Sequence, residues 1–156
     1  MILSIALAKR SDIDTVRIIT HSTIKEVYPR YYPKGAVSFF LSHHSTENIS
    51  DDISRSIVYL CFDSDNTAVG TATIKNNEIC RLFVLPQFQG RGYGRLLLDF
   101  CEKEIAKGYD EVVIDASLSA KCIYLKRGYR ESEYHIITTE NGDHLCYDVM
   151  KKQIKK

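Results

Sequence analysis

The stretch Glu78-Ile-Cys-Arg-Leu-Phe-Val-Leu-Pro-Gln-Phe-Gln-Gly-Arg-Gly-Tyr-Gly-Arg95 decides how this chain is read. Its first half is an apolar run, Ile79, Leu82, Phe83, Val84 and Leu85, with the β-branched and aromatic members a buried strand requires. Pro86 ends the strand, because it has no N–H to give to a ladder. Gly90, Gly92 and Gly94 then alternate with Arg91, Tyr93 and Arg95, and a helical pattern follows. Glycine leaves the backbone bare and tolerates positive φ. Bare amides at the start of a helix attract anions, phosphate above all.

Register excludes two familiar phosphate loops. Counted from Gly90, the dinucleotide fingerprint G-x-G-x-x-G needs its third glycine at Arg95, and a Walker A loop needs its second glycine there too. What stands here is Gln89-x-x-Gly92-x-Gly94. It resembles the acyl-CoA pyrophosphate loop of the GNAT superfamily of N-acetyltransferases, where Gln or Arg precedes a glycine by three residues and a Gly or Ala by five. Downstream runs Asp115-Ala-Ser-Leu-Ser-Ala-Lys-Cys-Ile-Tyr-Leu-Lys-Arg-Gly-Tyr129. It resembles the family's second motif, N-x-x-A-x-x-x-Y-x-x-x-G followed by Phe or Tyr. Ala120, Tyr124, Gly128 and Tyr129 fall at that spacing, and Ser117 stands where the Asn usually does. Both motifs have the right order, separation and element context. The resemblance covers residues 53–150 well, whereas the first 50 residues match only in helix order.

Bulk composition fits this frame. A chain of 156 residues predicts one domain, residues 1–156. With 44% hydrophobic and 26% charged residues it reads as globular. A formal charge of +1 gives no basic field to attract nucleic acid or an anionic membrane. The Lys151–Lys156 tail is basic but short, and reads as a solvated end. Cys61, Cys80, Cys101, Cys122 and Cys146 are an odd number with no C-x-x-C pair, which disfavours zinc or a disulfide framework and suits the reducing cytoplasm. At the N-terminus the charges Lys9 and Arg10 follow the apolar run, the reverse of a secretory leader. No apolar run approaches the roughly 20 residues of a membrane span.

In order along the chain, residues 2–8 read as a strand. Ser11-Asp12-Ile13-Asp14 offers helix caps, and Ile13, Val16, Ile19, Ile24 and Val27 recur at helical spacing until Pro29. Tyr28 to Pro33 is a connector. A helix is expected over Lys34–His43, and a short helix or loop over Ser45–Ser54. Ser56–Phe62 and Val69–Lys75 form a hairpin of strands leading into Glu78. After the glycine loop a helix runs to about Lys107, with Gly108 as its C′ residue. Glu111–Ala116 is a buried strand completing a right-handed βαβ crossover. Ser119–Arg127 is a short helix ended by Gly128. Tyr129–Thr139 and His144–Met150 are strands joined by a two-residue turn at Asn141-Gly142.

The resemblance implies more than the pattern does. It implies an α/β GNAT fold: a mixed, mostly antiparallel sheet of six to seven strands with a central splayed parallel pair, flanked by about four helices. Acetyl-CoA would lie in the splay as cosubstrate, with no metal. Its pyrophosphate would sit on Gln89, Gly90, Arg91, Gly92, Tyr93, Gly94 and Arg95, and its pantetheine arm along Phe83, Val84 and Leu85. Ser117, Ala120 and Tyr124 would face the arm and thioester. Tyr124, a phenol of ordinary pKa about 10, would protonate the leaving thiolate. The N–H of Val84 would meet the oxyanion. Glu78 lies eleven residues before Gln89, where the histone-acetyltransferase branch places its basic glutamate. A water chain is the alternative base. The acceptor amine, of a small molecule or a protein, would be met by the N-terminal helices and last hairpin, among Tyr28, Tyr31, Tyr32, Phe39, Phe40, His43 and His44. Arg81 is a lesser candidate for the acceptor side. Relatives often pair through their last strands, so a homodimer is expected. The rival reading is a non-catalytic acyl-CoA sensor module, for which the Ser117 departure speaks.

Overall fold

The computed structural model describes residues 4–154. Residues 2 and 3 of the expected first strand, and the last two lysines of the tail, lie outside them. The chain forms β1 (Ser4–Leu7), α1 (Ile13–Val27), α2 (Lys34–His43), α3 (Thr46–Ser54), β2 (Val58–Phe62), β3 (Ala68–Lys75) and β4 (Glu78–Val84). Then follow α4 (Tyr93–Ile105), β5 (Glu111–Ala116), α5 (Lys121–Lys126), β6 (Arg130–Thr138) and β7 (His144–Gln153). These are four longer helices and the six-residue α5. The strands build one sheet in the order β1-β2-β3-β4-β5-β7-β6. Every neighbouring pair is antiparallel except β4–β5. This is the mixed, mostly antiparallel sheet with one central parallel pair that the motifs imply.

Each face of the sheet carries a core. On one, α4 sets Leu97, Leu98, Cys101 and Ile105 against Ile79, Val112, Ile114 and Met150. On the other, α1 and α3 set Val16, Ile19, Ile24, Ile49 and Ile53 against Val58, Leu60, Phe83 and Leu145. A helix–sheet–helix sandwich of this kind is what alternating strand and helix patterns must build to bury both faces.

One irregularity in β4 decides what each face sees. Thr73 pairs with Arg81, and Ile74 with Ile79, so Cys80 is an extra residue, a β-bulge. The bulge resets the alternation: Ile79 points to the α4 core, while Arg81 and Phe83 point to the α1–α3 side. Arg81 is only 4% exposed there. Its Nη2 reaches Asp52 at 3.2 Å, Nη1 donates to Thr73 Oγ1 at 2.8 Å and Nε to His44 Nδ1 at 3.2 Å.

Four local expectations change. Lys151 to Gln153 are not a solvated end but the last residues of β7, paired with Val113, Val112 and Glu111 of β5. Gly108 is not left-handed; α4 ends at Ile105 with Ala106 and Gly108 in ordinary backbone, and the Gly108 N–H bonds Ile105 O. The left-handed C′ glycine is instead Gly128, at φ +100°. Around it the Tyr129 N–H bonds Tyr124 O at 3.0 Å and the Gly128 N–H bonds Leu125 O at 3.1 Å, the paired bonds of a Schellman motif. The β6–β7 turn is a three-residue loop rather than two: Thr139 N–H bonds Asp143 O, Glu140 to Gly142 span the turn, and only Gly142 has positive φ, +87°. Finally, Asp12 does not cap α1; its carboxylate turns back to the Lys9 N–H.

Candidate active site

The parallel pair is barely a pair. Only Glu78↔Val113 and Ile79↔Ile114 are in register, after which β4 and β5 part. The gap opens into a cavity of about 1050 Å³. Its floor is β4, and its ends are the glycine loop on one side and the α2 and β6–β7 walls on the other.

The loop is built as the sequence indicates. Gly90 and Gly92 take φ of +77° and +92°, the left-handed region that favours glycine. Gly92 is the N-cap of α4, and the first backbone bond back to it comes from Leu96. The amides of Gly90 through Arg95 therefore donate to no backbone acceptor among the described residues. Such a row of bare N–H groups at the positive end of a 13-residue helix is an anion cradle. The Gln89 side chain donates to Val84 O at 3.0 Å, clasping the loop to the strand. Gln89, Gly90, Gly92, Gly94 and Arg95 line the cavity. Tyr93 does not: its ring is 6% exposed in the α4 core, near Phe88. Arg91 lies over the Phe88 ring and is also off the cavity.

Along the floor, Leu85 N–H donates to Val69 O on β3 at 2.8 Å. Antiparallel pairing alternates, so Val84 turns its own N–H and C=O to the open seam. The Val84 carbonyl receives Gln89 and, at 3.3 Å, the Thr23 hydroxyl. Of Phe83, Val84 and Leu85, only Val84 thus points backbone polar groups into the gap.

The far wall carries Ser117, Ser119, Ala120 and Tyr124. The Schellman turn at Gly128 fixes α5, whose residue Tyr124 is 6% exposed and packs at 5.7 Å from Tyr129. Burial, with Tyr28 adding, pushes the Tyr124 phenol above its ordinary value. It remains protonated at neutral pH. Ser117 Oγ and Ser119 Oγ lie 2.9 Å apart. Tyr32 pins the turn between them: its OH accepts the Leu118 N–H at 2.7 Å and donates to Cys146 O at 3.1 Å.

Glu78 is not on the cavity lining. It sits at the closed end of the seam, paired with Val113 and Lys75. Desolvation first, and Asp115 second, raise its carboxyl above the usual range, with Lys75 opposing. Asp115 does line the cavity, two residues on from Val113 and on the same face of β5. Partial burial raises it, with His135 and His43 pulling the other way. Sequence reasoning passed over Asp115. The signal was there, since it alternates with apolar Ile114 and Ala116 at the mouth of a splayed strand. It also passed over Ser119 and Thr23. Of the aromatic cluster, Tyr28, Phe39, Phe40, His43 and His44 line the cavity, whereas exposed Tyr31 does not. Among the described residues no cluster of three or more His, Cys, Asp or Glu is placed to hold a metal, and no helix is long and apolar enough to cross a membrane.

Residues 27–152 match the Acetyltransferase (GNAT) domain family. This chain belongs to that family. No curated protein matches it. Among solved structures, it is similar to a GCN5-related N-acetyltransferase from Rhodopseudomonas palustris, at 24% identity over 98% of both chains and a TM-score of 0.86. It is similar to the PaiA N-acetyltransferase from Thermoplasma acidophilum in complex with coenzyme A, at 23% identity over 98% of this chain and 99% of that one, TM-score 0.76. YncA from Salmonella typhimurium, with its cofactor acetyl-CoA, aligns at 15% identity over 100% and 96%, TM-score 0.67. At these identities the likeness is one of fold. Family membership makes this chain an acetyltransferase.

Proposed function

We propose that this GNAT domain moves an acetyl group from acetyl-CoA to a primary amine by direct attack in a ternary complex. The observation that carries the reading is the parted seam: bare amides from Gly90 to Arg95 at one end, the inward Val84 N–H on the floor, and the Tyr124 phenol on the wall. The diphosphate docks on the amides, and the pantetheine arm follows the seam. The neutral amine attacks the thioester carbon, and the developing oxyanion takes a hydrogen bond from Val84 N–H. As the C–S bond breaks, Tyr124 gives its proton to the thiolate sulfur, a step worth roughly 10²–10⁴ in rate. The phenolate then recovers a proton from solvent along the open cleft. The proton leaving the ammonium passes by water to Glu78, whose raised pKa suits a relay set back from the cavity. No cysteine is required as an acyl carrier.

Tyr124→Phe tests the role of the phenol. Turnover of acetyl-CoA, followed by thiol release, should fall by about 10²-fold or more, while calorimetry finds acetyl-CoA binding intact. An unchanged turnover rate removes Tyr124 as the acid. We further propose a homodimer acting in the cytoplasm, which sedimentation and fractionation of the intact chain would check.

A further inference from the structure

The end of the cavity away from the glycine loop has a distinct chemistry. Phe39, Phe40 and His43 of α2 form one wall, and Ile137, Leu145 and Tyr147 of the β6–β7 hairpin form the other. Phe39 stacks on His43, and Phe40 sits edge-on to Tyr28 at 4.8 Å. The acid on this part of the lining is Asp115. The cation is Arg81, and its guanidinium is already bonded to Asp52, Thr73 and His44. The remaining lining cations, Arg95, Lys126 and Arg127, belong to the glycine loop and α5, and Arg127 is itself paired with Glu102 and Asp99.

We propose that the acceptor is a small primary amine on an aromatic or aliphatic body that bears no carboxylate, with Asp115 receiving its ammonium group. The inference rests on the acetyl-transfer reading and names its substrate class. An apolar body replaces water on the Phe39, Phe40, Leu145 and Tyr147 surfaces, which is favourable in proportion to the area covered. A carboxylate in the same place would meet Asp115, with Arg81 already held by Asp52 and only the His43 imidazole beside it among the described residues, and a poorly paired charge taken from water is strongly disfavoured. Selection thus comes as much from what the pocket repels as from what it holds.

The test compares 2-phenylethylamine with phenylalanine, which share a body and differ by the carboxylate. Thiol release is followed on the intact chain at saturating acetyl-CoA, with spermidine and an alanine-headed tetrapeptide alongside. The expected kcat/KM for 2-phenylethylamine exceeds that for phenylalanine by about 100-fold or more. Asp115→Asn should raise the KM for 2-phenylethylamine about tenfold and leave the calorimetric Kd of acetyl-CoA unchanged. Comparable turnover of phenylalanine, or spermidine or the peptide as the best acceptor, overturns the proposal. Acetyl-CoA calorimetry on its own separates the two levels: no binding removes the acetyl-transfer reading itself. If acetyl-CoA binds and no amine is turned over, thermal unfolding of the CoA-saturated protein decides. A rise in Tm with 2-phenylethylamine and not with phenylalanine supports the acceptor class, and no rise with either overturns it.

Discussion

Tyr32→Phe removes one oxygen and tests how the far wall of the cleft is held. Tyr32 is 6% exposed, and its hydroxyl joins three parts of the chain: its own connector, the Ser117–Ser119 turn through Leu118 N–H, and β7 through Cys146 O. Phenylalanine fills the same space but leaves both backbone groups without this partner. A buried polar group left unpaired costs about 1–3 kcal/mol. Leu118 is an exposed residue whose amide water can reach, so the loss should be about 2 kcal/mol in all. For a chain of this length that is a fall in Tm of about 4–8 °C. The functional effect follows from what the turn carries. Ser117, Ser119 and the start of α5 would shift, and with them Tyr124, so kcat should drop about 10- to 100-fold. The acetyl-CoA Kd, set by the glycine loop on the other side of the seam, should change by less than about threefold. Scanning calorimetry and thiol release measure the two effects, and Tyr31→Phe, at a residue 49% exposed, is the control. A Tm within a degree or so of the parent, with kcat unchanged, would refute the argument that this phenol organises the wall.

Gly92→Ala places a Cβ in open space at φ +92°, so its effect is pure backbone strain, about 1–2 kcal/mol; calorimetry should show acetyl-CoA binding about tenfold weaker, because the loop relaxes away from the cradle. Gly35→Ala would drive a methyl group into the Asn141 amide and Thr139 hydroxyl, and would strain the Gly35 N–H bond to Asp143 Oδ2, 2.8 Å long. That bond latches the hairpin wall to α2, so the amine KM should rise while the acetyl-CoA Kd holds. His44, buried and beside Arg81, is held down to a pKa of about 2 by desolvation first and by the nearby cations second. Unfolded, it takes a proton below about pH 6.5, which the folded state refuses, so it removes about 1.4 kcal/mol of stability per pH unit as pH falls from there. His44→Gln should flatten that slope by one proton in urea unfolding series between pH 6 and 4, and an unaltered slope would show that His44 titrates alike in both states.

Much of the fold was legible because local chemistry and tertiary need agree. Pro33 and the apolar face of Val37, Phe40 and Leu41 set α2 at Lys34–His43, and the run Val112-Val-Ile114 set β5 at Glu111–Ala116, both as expected. The glycine loop was legible since positive φ leaves a compositional mark at Gly90 and Gly92. What stayed hidden is long-range. The Arg81–Asp52–Thr73–His44 network joins residues far apart in sequence, and nothing near Arg81 announces its burial. The bulge at Cys80 leaves no glycine to betray it. Gly108 looked like a helix stop because glycine after a helix is usually left-handed, yet α4 simply closes through Ala106. Glu78 fell at the spacing of a base, but spacing along a strand says nothing about where two strands part. That point, beyond Ile79 and Ile114, puts Asp115 rather than Glu78 on the lining.

The inserted residue at Cys80 acts as a parity bit for the sheet's central strand. Were Cys80 taken into the regular ladder instead of bulging out, it would stand opposite Thr73, and Arg81, shifted to Ala72, would be turned among Leu97, Leu98 and Ile105. The distal half of the strand, Val84 included, would then present its amides to β3 instead of to the cleft. Inserting one residue into the distal half of this strand should therefore be far more damaging than any single exchange within it.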